Sequence, residues 1–438
     1  MQLIQPKTLK GFRDFMPQAE ITRSSIMDKF IKMFREAGFV PIDTPCLEYS
    51  EILLRKSNGE TEKQVFRFND AGRRDVSLRF DLTVPFARFI AEHYNELYFP
   101  FKRYHVAKVW RGEKPQGGRF REFIQCDFDI VGTTSYCADF EVLHLIKRAF
   151  DAINCKINIH VSHRGIFNAF LFSINCKDKS EDILRTVDKI RKVKHEEIEQ
   201  ELVDLVGEGN AKSILNFVLL NENEANFQLA IERLSNFVPE AKEEIEFLKK
   251  ISILIESIGI QDAFLLDMSI TRGLDYYTGM VYETFLTDMP EIGSVCSGGR
   301  YDNLTGFYMK EGVSGVGASI GIDRLLAALT MLNKSKMDSS FTDVIIFADD
   351  NIDYPTAYKI INYFEKMGVI AEVFPEKKKM TKQYELAEKK EIKWGIYLKT
   401  PCKEQCGVDD LIVSLKNLET RKEIEISILN AGAKIKGE

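Results

Sequence analysis

Apolar and polar positions follow three different rhythms along this chain. Between Thr22 and Ala37, Ile26, Phe30, Met33, Phe34 and Ala37 recur on one helical face, which predicts an amphipathic helix. Ser24 or Ser25 is placed to cap its start, and Gly38 suits the left-handed residue beyond its end. FVPIDTPCLEY reads as extended chain, because Pro41 and Pro45 push the residues before them out of the helical region. Prolines of this kind belong at a sheet edge or an interface. Residues 76–84 and 100–111 read as strands, with a short amphipathic helix, PFARFIAEHY, between them. From Phe123 to Val131 apolar and polar side chains alternate, as in an antiparallel strand lining a site. A helix from about Ala138 to Ala152 and the strand KINIHVS follow.

From about residue 171 to 260 the strand signal disappears. Glu, Lys, Leu and Ile dominate at helical spacing, so this stretch reads as a helical insertion in a mixed sheet. Strand character returns at AFLLDMSI and MVYETFLTD. SVCSGGRYD then leads into GVSGVGASIGIDRLLAALTML, a glycine-rich strand running into a helix. Residues 334–340 are polar and small, as expected of a linker. Beyond them strand and helix alternate as far as KWGIYLK, which predicts a parallel sheet with crossover helices and a separate α/β domain over 341–438.

Composition narrows the class. A chain of 438 residues exceeds what one core usually covers, so a first domain over 1–333 and a second beyond the linker are expected. A hydrophobic content of 45% excludes wholesale disorder, and a net charge of −6 argues against a uniformly basic nucleic-acid coat. Eight scattered cysteines without a CxxC pair fit reduced thiols, and Cys402 and Cys406 read as surface-loop residues. No apolar run has signal-peptide or bilayer length, so a soluble, cytoplasmic protein with no membrane partner is expected. His160 and His163 have no Cys/His group around them, and no resident metal site is expected.

The densest chemistry lies in WRGEKPQGGRFREFIQCDFDIV, residues 110–131. Arg111, Glu113, Lys114, Arg119 and Arg121 surround a glycine-containing loop, a composition suited to phosphate oxygens. Phe123 offers a flat surface for a base. Arg111, Gln125 and Asp129 share one parity, so a cation, an amide and a carboxylate project to one sheet face. TRGLDYYTGMVYE (271–283) places Arg272, Asp275, Tyr276 and Tyr277 between two glycines, and in GIDRL Arg324 stands at the start of a helix. The glycine-rich turn before that helix lacks the ending of a P-loop.

Together these residues resemble the class II aminoacyl-tRNA synthetases, and within them the histidyl-tRNA synthetases. The helix before Pro45 is similar to the class's motif 1, a dimer element; WRGE…RFRE is similar to motif 2 and GIDRL to motif 3. RGLDYYTG at 272–279 and GGRYD at 298–302 are signatures of the histidine enzymes, and RFDLTVPFAR at 79–88 resembles their eukaryotic-type form. The resemblance implies an α+β fold: a mixed antiparallel catalytic sheet with flanking helices and a helical insertion, plus a C-terminal α/β anticodon-binding domain. It implies a homodimeric histidine–tRNA ligase of protein biosynthesis, using ATP, Mg²⁺, L-histidine and tRNA(His).

The resemblance also implies roles. Asp81 and Thr83, with Gln125, would hold the histidine α-amino group, and Leu82 between them counts among the histidine-binding residues. Asp129 and Tyr276 would read the imidazole nitrogens, with Tyr277 closing the pocket. Arg111 would meet both the carboxylate and the α-phosphate, opposite Arg272 as the catalytic cation. Phe123 and Arg324 would sandwich adenine, Glu113 would meet its amino edge, and Arg119 the γ-phosphate. The alternative is a synthetase-like regulatory subunit of ATP phosphoribosyltransferase. Such paralogues typically lack the RGLDYYTG arginine and the C-terminal domain, and this chain carries both. Lys379-Met380-Thr381-Lys382 is similar to a loop of the other synthetase class, but it lacks that class's partner motif.

Overall fold

The computed structural model describes residues 3–54, 62–114, 118–191, 193–222, 224–271, 277–303, 305–310, 312–332, 339–398 and 411–437. Most of the expected linker, Cys402 and Cys406 lie outside them. The chain divides into two compact units, Met1–Asp14 with Arg23–Ser335, and Phe15–Thr22 with Lys336–Glu438.

Helix α1 (Pro17–Glu36) belongs to the first unit from Arg23 on, and strands β1 (Val40–Pro41) and β2 (Leu47–Tyr49) and a short helix, α2 (Ser50–Leu54), follow it. Strands β3 (Arg67–Asn69) and β4 (Asp75–Leu78), helix α3 (Thr83–His93) and the long strands β5 (Phe101–Trp110) and β6 (Glu122–Val131) follow. Helix α4 (Tyr136–Asp151) and strand β7 (Ile157–His163) precede the helical stretch of α5 (Arg164–Ser173), α6 (Ser180–Val187), α7 (His195–Val206), α8 (Glu208–Val218), α9 (Phe227–Phe237) and α10 (Lys242–Ser257). Strands β8 (Phe264–Leu266), β9 (Met280–Leu286), β10 (Cys296–Tyr301) and β11 (Gly315–Gly321) lead into helix α11 (Ile322–Met331).

Eight strands form one sheet in the order β1-β5-β6-β11-β10-β9-β7-β8. Its pairs are antiparallel except β1 with β5 and β7 with β8. The proline-bearing β1 occupies an edge, where a missing N–H costs no ladder bond. Directly paired residues share a face, so the register gives the sheet two characters. Ile124, Cys126, Phe128 and Ile130 lie with Val316, Ala318 and Ile320 on an apolar face. Phe34 of α1 covers it, 4.8 Å from the Phe128 ring and 5.5 Å from Tyr104 between centroids. Gln125, Asp127 and Asp129 lie with Arg103, His105 and Ser319 on the other face. The insertion has its own aromatic core, with Phe217 stacked on Phe170 at 4.2 Å. Strands β2, β4 and β3 make a separate small sheet.

Two boundaries differ from the periodicity. Helix α1 starts at Pro17, a residue pre-set for a first helical position, so Ser24 and Ser25 lie inside the helix and not at its start. The strand expected to reach residue 84 ends at Leu78. Asp81 Oδ1 accepts the Val84 N–H at 3.1 Å and fixes the first turn of α3 instead. Gly38, with φ +79°, closes α1 as expected.

The second unit contains β12 (Val344–Ile346), α12 (Tyr354–Lys366), β13 (Ala371–Val373), α13 (Met380–Lys389), β14 (Trp394–Tyr397), β15 (Ile412–Asn417), β16 (Glu423–Ser427) and α14 (Ile428–Lys436). Its sheet order is β13-β12-β14-β15-β16. The first three strands are parallel as the alternation predicts, but β15 and β16 run antiparallel. Only residues 418–422 join those two, and a parallel pair needs a much longer crossover.

Phe128→Ala removes a fully buried ring from between the sheet and α1. It is expected to lower the unfolding free energy by about 3–5 kcal/mol in denaturant titration. A near-neutral result would place Phe128 outside the core.

Candidate active site

The polar face centres on Asp129. Tyr301 of β10 donates its hydroxyl to Asp129 Oδ1 at 2.8 Å. Arg103 Nη2 lies 2.7 Å from Asp129 Oδ2, an ion pair out of hydrogen-bond alignment. The Arg103 guanidinium is completely buried and sits 4.1 Å from the centre of the Phe86 ring. Burial pushes the Asp129 carboxyl up, against the opposing pull of Arg103 and Tyr301. Gly317, paired with Asp129 across β11, leaves room for this carboxylate: a Cβ there would lie 1.9 Å from Oδ1.

Gln125 and Asp127 continue the same face of β6. Gln125 donates from Nε2 to Ser319 Oγ at 2.8 Å. Burial, with Asp129 and Asp81 nearby, pushes the Asp127 carboxyl up to about 7, while Arg103 pulls it down. Asp81 is buried at the head of α3 and raised to about 6 by burial, opposed by the Val84 amide and then by Arg111. Leu82 is fully buried behind it, and Thr83 is half-buried.

Cations gather towards the hairpin end of the face. Arg111 donates from Nε to the Phe80 carbonyl at 2.9 Å, and its guanidinium lies 5.3 Å from the Phe123 ring centre. Glu113 stands between Arg111 and Arg119, at 3.9 Å and 4.0 Å. In the GIDRL segment Asp323 accepts the Ile124 N–H at 2.7 Å and pairs with Arg13 at 2.8 Å, which pins the start of α11 against β6. The next residue, Arg324, donates from Nη1 to the Ser294 carbonyl at 2.6 Å. Arg119 and Arg324 border a cavity of about 1040 Å³, shared with Glu283, Phe285, His160 and Gly293. That is ample for a nucleotide, since small-molecule sites commonly measure roughly 300–1,000 Å³.

The structure therefore brings Asp81, Arg111, Phe123, Gln125 and Asp129 to one face and sets Arg119 and Arg324 on the adjoining cavity. Tyr277 is half-buried and packs into the cluster that holds Phe86 and Tyr301. Arg272 and Tyr276 lie outside the described residues. Three members escaped the sequence reading: Arg103, Asp127 and Tyr301. Asp127 shares the parity of Gln125 and Asp129, so alternation alone was enough to find it. Tyr301 belongs to GGRYD, whose Arg300 makes a buried ion pair with Asp139, both Asp139 oxygens lying 3.0 Å from Nε. His160 and His163 are occupied separately. Nδ1 of His160 lies 2.7 Å from Asp267 Oδ2, and Nδ1 of His163 accepts the Gly165 N–H at 3.2 Å.

Residues 11–325 match the family described as histidyl-tRNA synthetase, and the chain belongs to that family. It is 54% identical over 441 aligned residues to the histidine–tRNA ligase of Treponema denticola, covering 99% of this chain and 98% of that one. It is 38% identical to the histidine–tRNA ligase of Wolinella succinogenes, over 99% of this chain and 98% of that one. The crystal structure of histidyl-tRNA synthetase from Nostoc sp. PCC 7120 superposes with a TM-score of 0.88 at 28% identity, over 99% of this chain and 100% of that one. Among the described residues no helix is long and apolar enough to cross a membrane.

A carboxyl raised to about 7 holds a proton in the folded chain that it has lost in the unfolded chain above its ordinary value of 3.8. Folding therefore loses stability as pH rises through that window. Asp127→Asn is expected to exceed the parent in stability by on the order of 2–4 kcal/mol above the window and to match it below. Thermal unfolding across pH measures the difference; parallel profiles would refute it.

Proposed function

We propose that this chain is a histidine–tRNA ligase: it activates L-histidine with ATP as histidyl-adenylate, releases pyrophosphate, and passes the histidyl group to tRNA(His). The observation that carries this reading is the single sheet face on which Arg111, Phe123, Gln125 and Asp129 stand together, next to a cavity bordered by Arg119 and Arg324.

The histidine carboxylate is already a nucleophile, so adenylate formation needs no general base. The difficulty is the approach of two anions while charge builds on a pentacoordinate phosphorus. Fixed guanidinium groups offset that charge without reorganising. Arg111, held through Nε by a backbone carbonyl, keeps its remaining N–H groups for the carboxylate and the α-phosphate. Arg272 acts on the same phosphorus from the opposite side. Phe123 and Arg324 hold adenine, Glu113 its amino edge, and Arg119 the γ-phosphate. Mg²⁺ enters with the nucleotide as part of the substrate.

Asp81, Thr83 and Gln125 receive the α-amino group, Leu82 lies between the first two in the histidine-binding segment, and Asp129 and Tyr276 read the ring nitrogens under Tyr277. The Arg103 charge favours the ionised form of Asp129, ready to accept an imidazole N–H. A side chain without that N–H would leave a buried carboxylate unsatisfied, a large penalty. The protein acts as a homodimer in the cytoplasm. Its helical insertion closes over the acceptor arm, and residues 341–438 bind the anticodon.

ATP–pyrophosphate exchange tested with each amino acid checks this reading. Histidine alone is expected to support exchange, and exchange with a different amino acid would replace the assignment. Arg111→Ala and Arg272→Ala are each expected to slow adenylate formation by a factor on the order of 10²–10³. Near-normal exchange in either variant would remove that arginine from the catalytic role.

A further inference from the structure

Four buried acceptors in the pocket have no hydrogen-bond partner among the described residues: Asp129 Oδ2, which only faces Arg103 as an ion pair, and Gln125 Oε1, Asp127 Oδ1 and Asp81 Oδ2. The residues of the last three are 8%, 2% and 2% exposed. They belong to one cluster. Gln125 and Asp127 share one face of β6, Ser319 lies directly opposite Asp127 across the β6–β11 ladder and accepts from Gln125 Nε2, and the negative charge of Asp81 adds to the upward push on Asp127. Asp129 differs from them in charge rather than in need: Arg103 lies 2.7 Å from its unbonded Oδ2 and Tyr301 donates to Oδ1, which leaves Oδ2 to the imidazole N–H.

Unpartnered acceptors in a buried site are costly, and the cost identifies the occupant that relieves it. An apolar group would leave all three atoms unsatisfied. A neutral hydroxyl brings one donor. A primary ammonium brings three N–H donors and a positive charge, and it cannot act as an acceptor. Charge points the same way. The carboxyls of Asp81, Asp127 and Asp129 share one fully buried guanidinium, Arg103, with Arg111 at the rim, so an entering cation is what favours the ionised forms of Asp81 and Asp127.

We propose that Asp127 is a specificity-determining residue of the amino-acid site, receiving the substrate α-ammonium together with Asp81 and Gln125. The proposal rests on the reading of this chain as a histidine-activating enzyme. It makes the ammonium, and not only the imidazole, a point of discrimination. Amino acids pass this element of the site, whereas deaminated imidazole compounds leave two carboxylates and an amide oxygen buried without donors.

The test compares two ligands by calorimetry on the full chain: L-histidinol, which keeps the ammonium, and its deamino analogue imidazolepropanol. The parent protein is expected to prefer L-histidinol by about a hundredfold or more. Asp127→Asn is expected to shrink that preference by about tenfold or more and to raise the KM for histidine in exchange by a similar factor, with the KM for ATP unchanged. Asp127→Glu, which restores the charge, is expected to recover part of the preference. A merely structural role would weaken both ligands equally, and that result would overturn the proposal. So would a histidine KM within about twofold of the parent. The comparison on the parent protein needs no variant, and equal binding of the two ligands would also overturn the proposal. Failure of this kind alongside intact histidine-dependent exchange sinks only the role of Asp127. Absence of that exchange in the parent sinks the functional reading itself.

Discussion

A guanidinium withdrawn completely from water must find its counter-charge inside the protein, and Arg103 is such a group. Its partner Asp129 lies directly across the β5–β6 ladder. Asp129 needs the missing side chain of Gly317 on β11 and the hydroxyl of Tyr301 on β10. One buried ion pair therefore constrains four neighbouring strands. A shift of one residue in any of these registers would turn the charges into the apolar face that α1 covers.

The arrangement separates two kinds of electrostatics along a single face. Carboxyl groups and an amide occupy the deep end, where low polarity makes an approaching cation valuable and raises the carboxyls' proton affinity. Guanidinium groups occupy the hairpin end and the cavity, where partial exposure leaves them charged and able to meet phosphate oxygens. An amino acid and a nucleotide differ in the same way, one offering an ammonium and the other a run of phosphates. On the proposed reading, the face is thus graded to receive the two substrates in one orientation.

Asp323 shows how a fold-defining contact serves this gradient. It accepts a backbone N–H from β6 and pairs with Arg13, so the start of α11 cannot slide along the sheet. Arg324 is consequently held at the cavity by the element that also closes the core through Ile322 and Leu325. Position, rather than any unusual property of the arginine, gives it its place at the site.

Strand and helix periods, the parity of Gln125 and Asp129, and the arginine-rich hairpin were all legible in the chain, because side-chain alternation is a local property of extended backbone. The order of strands in the sheet was not, nor the antiparallel turn of β15 and β16, since pairing depends on which distant segments bury their apolar faces together. Arg103 illustrates the limit. In the sequence it is one charged residue in a strand; only the register that sets it opposite Asp129, beside Phe86 and away from water makes it the centre of the site. Local chemistry named the candidate residues. Long-range packing decided which of them share an enclosure, because burial and charge pairing are properties of segments far apart in the chain.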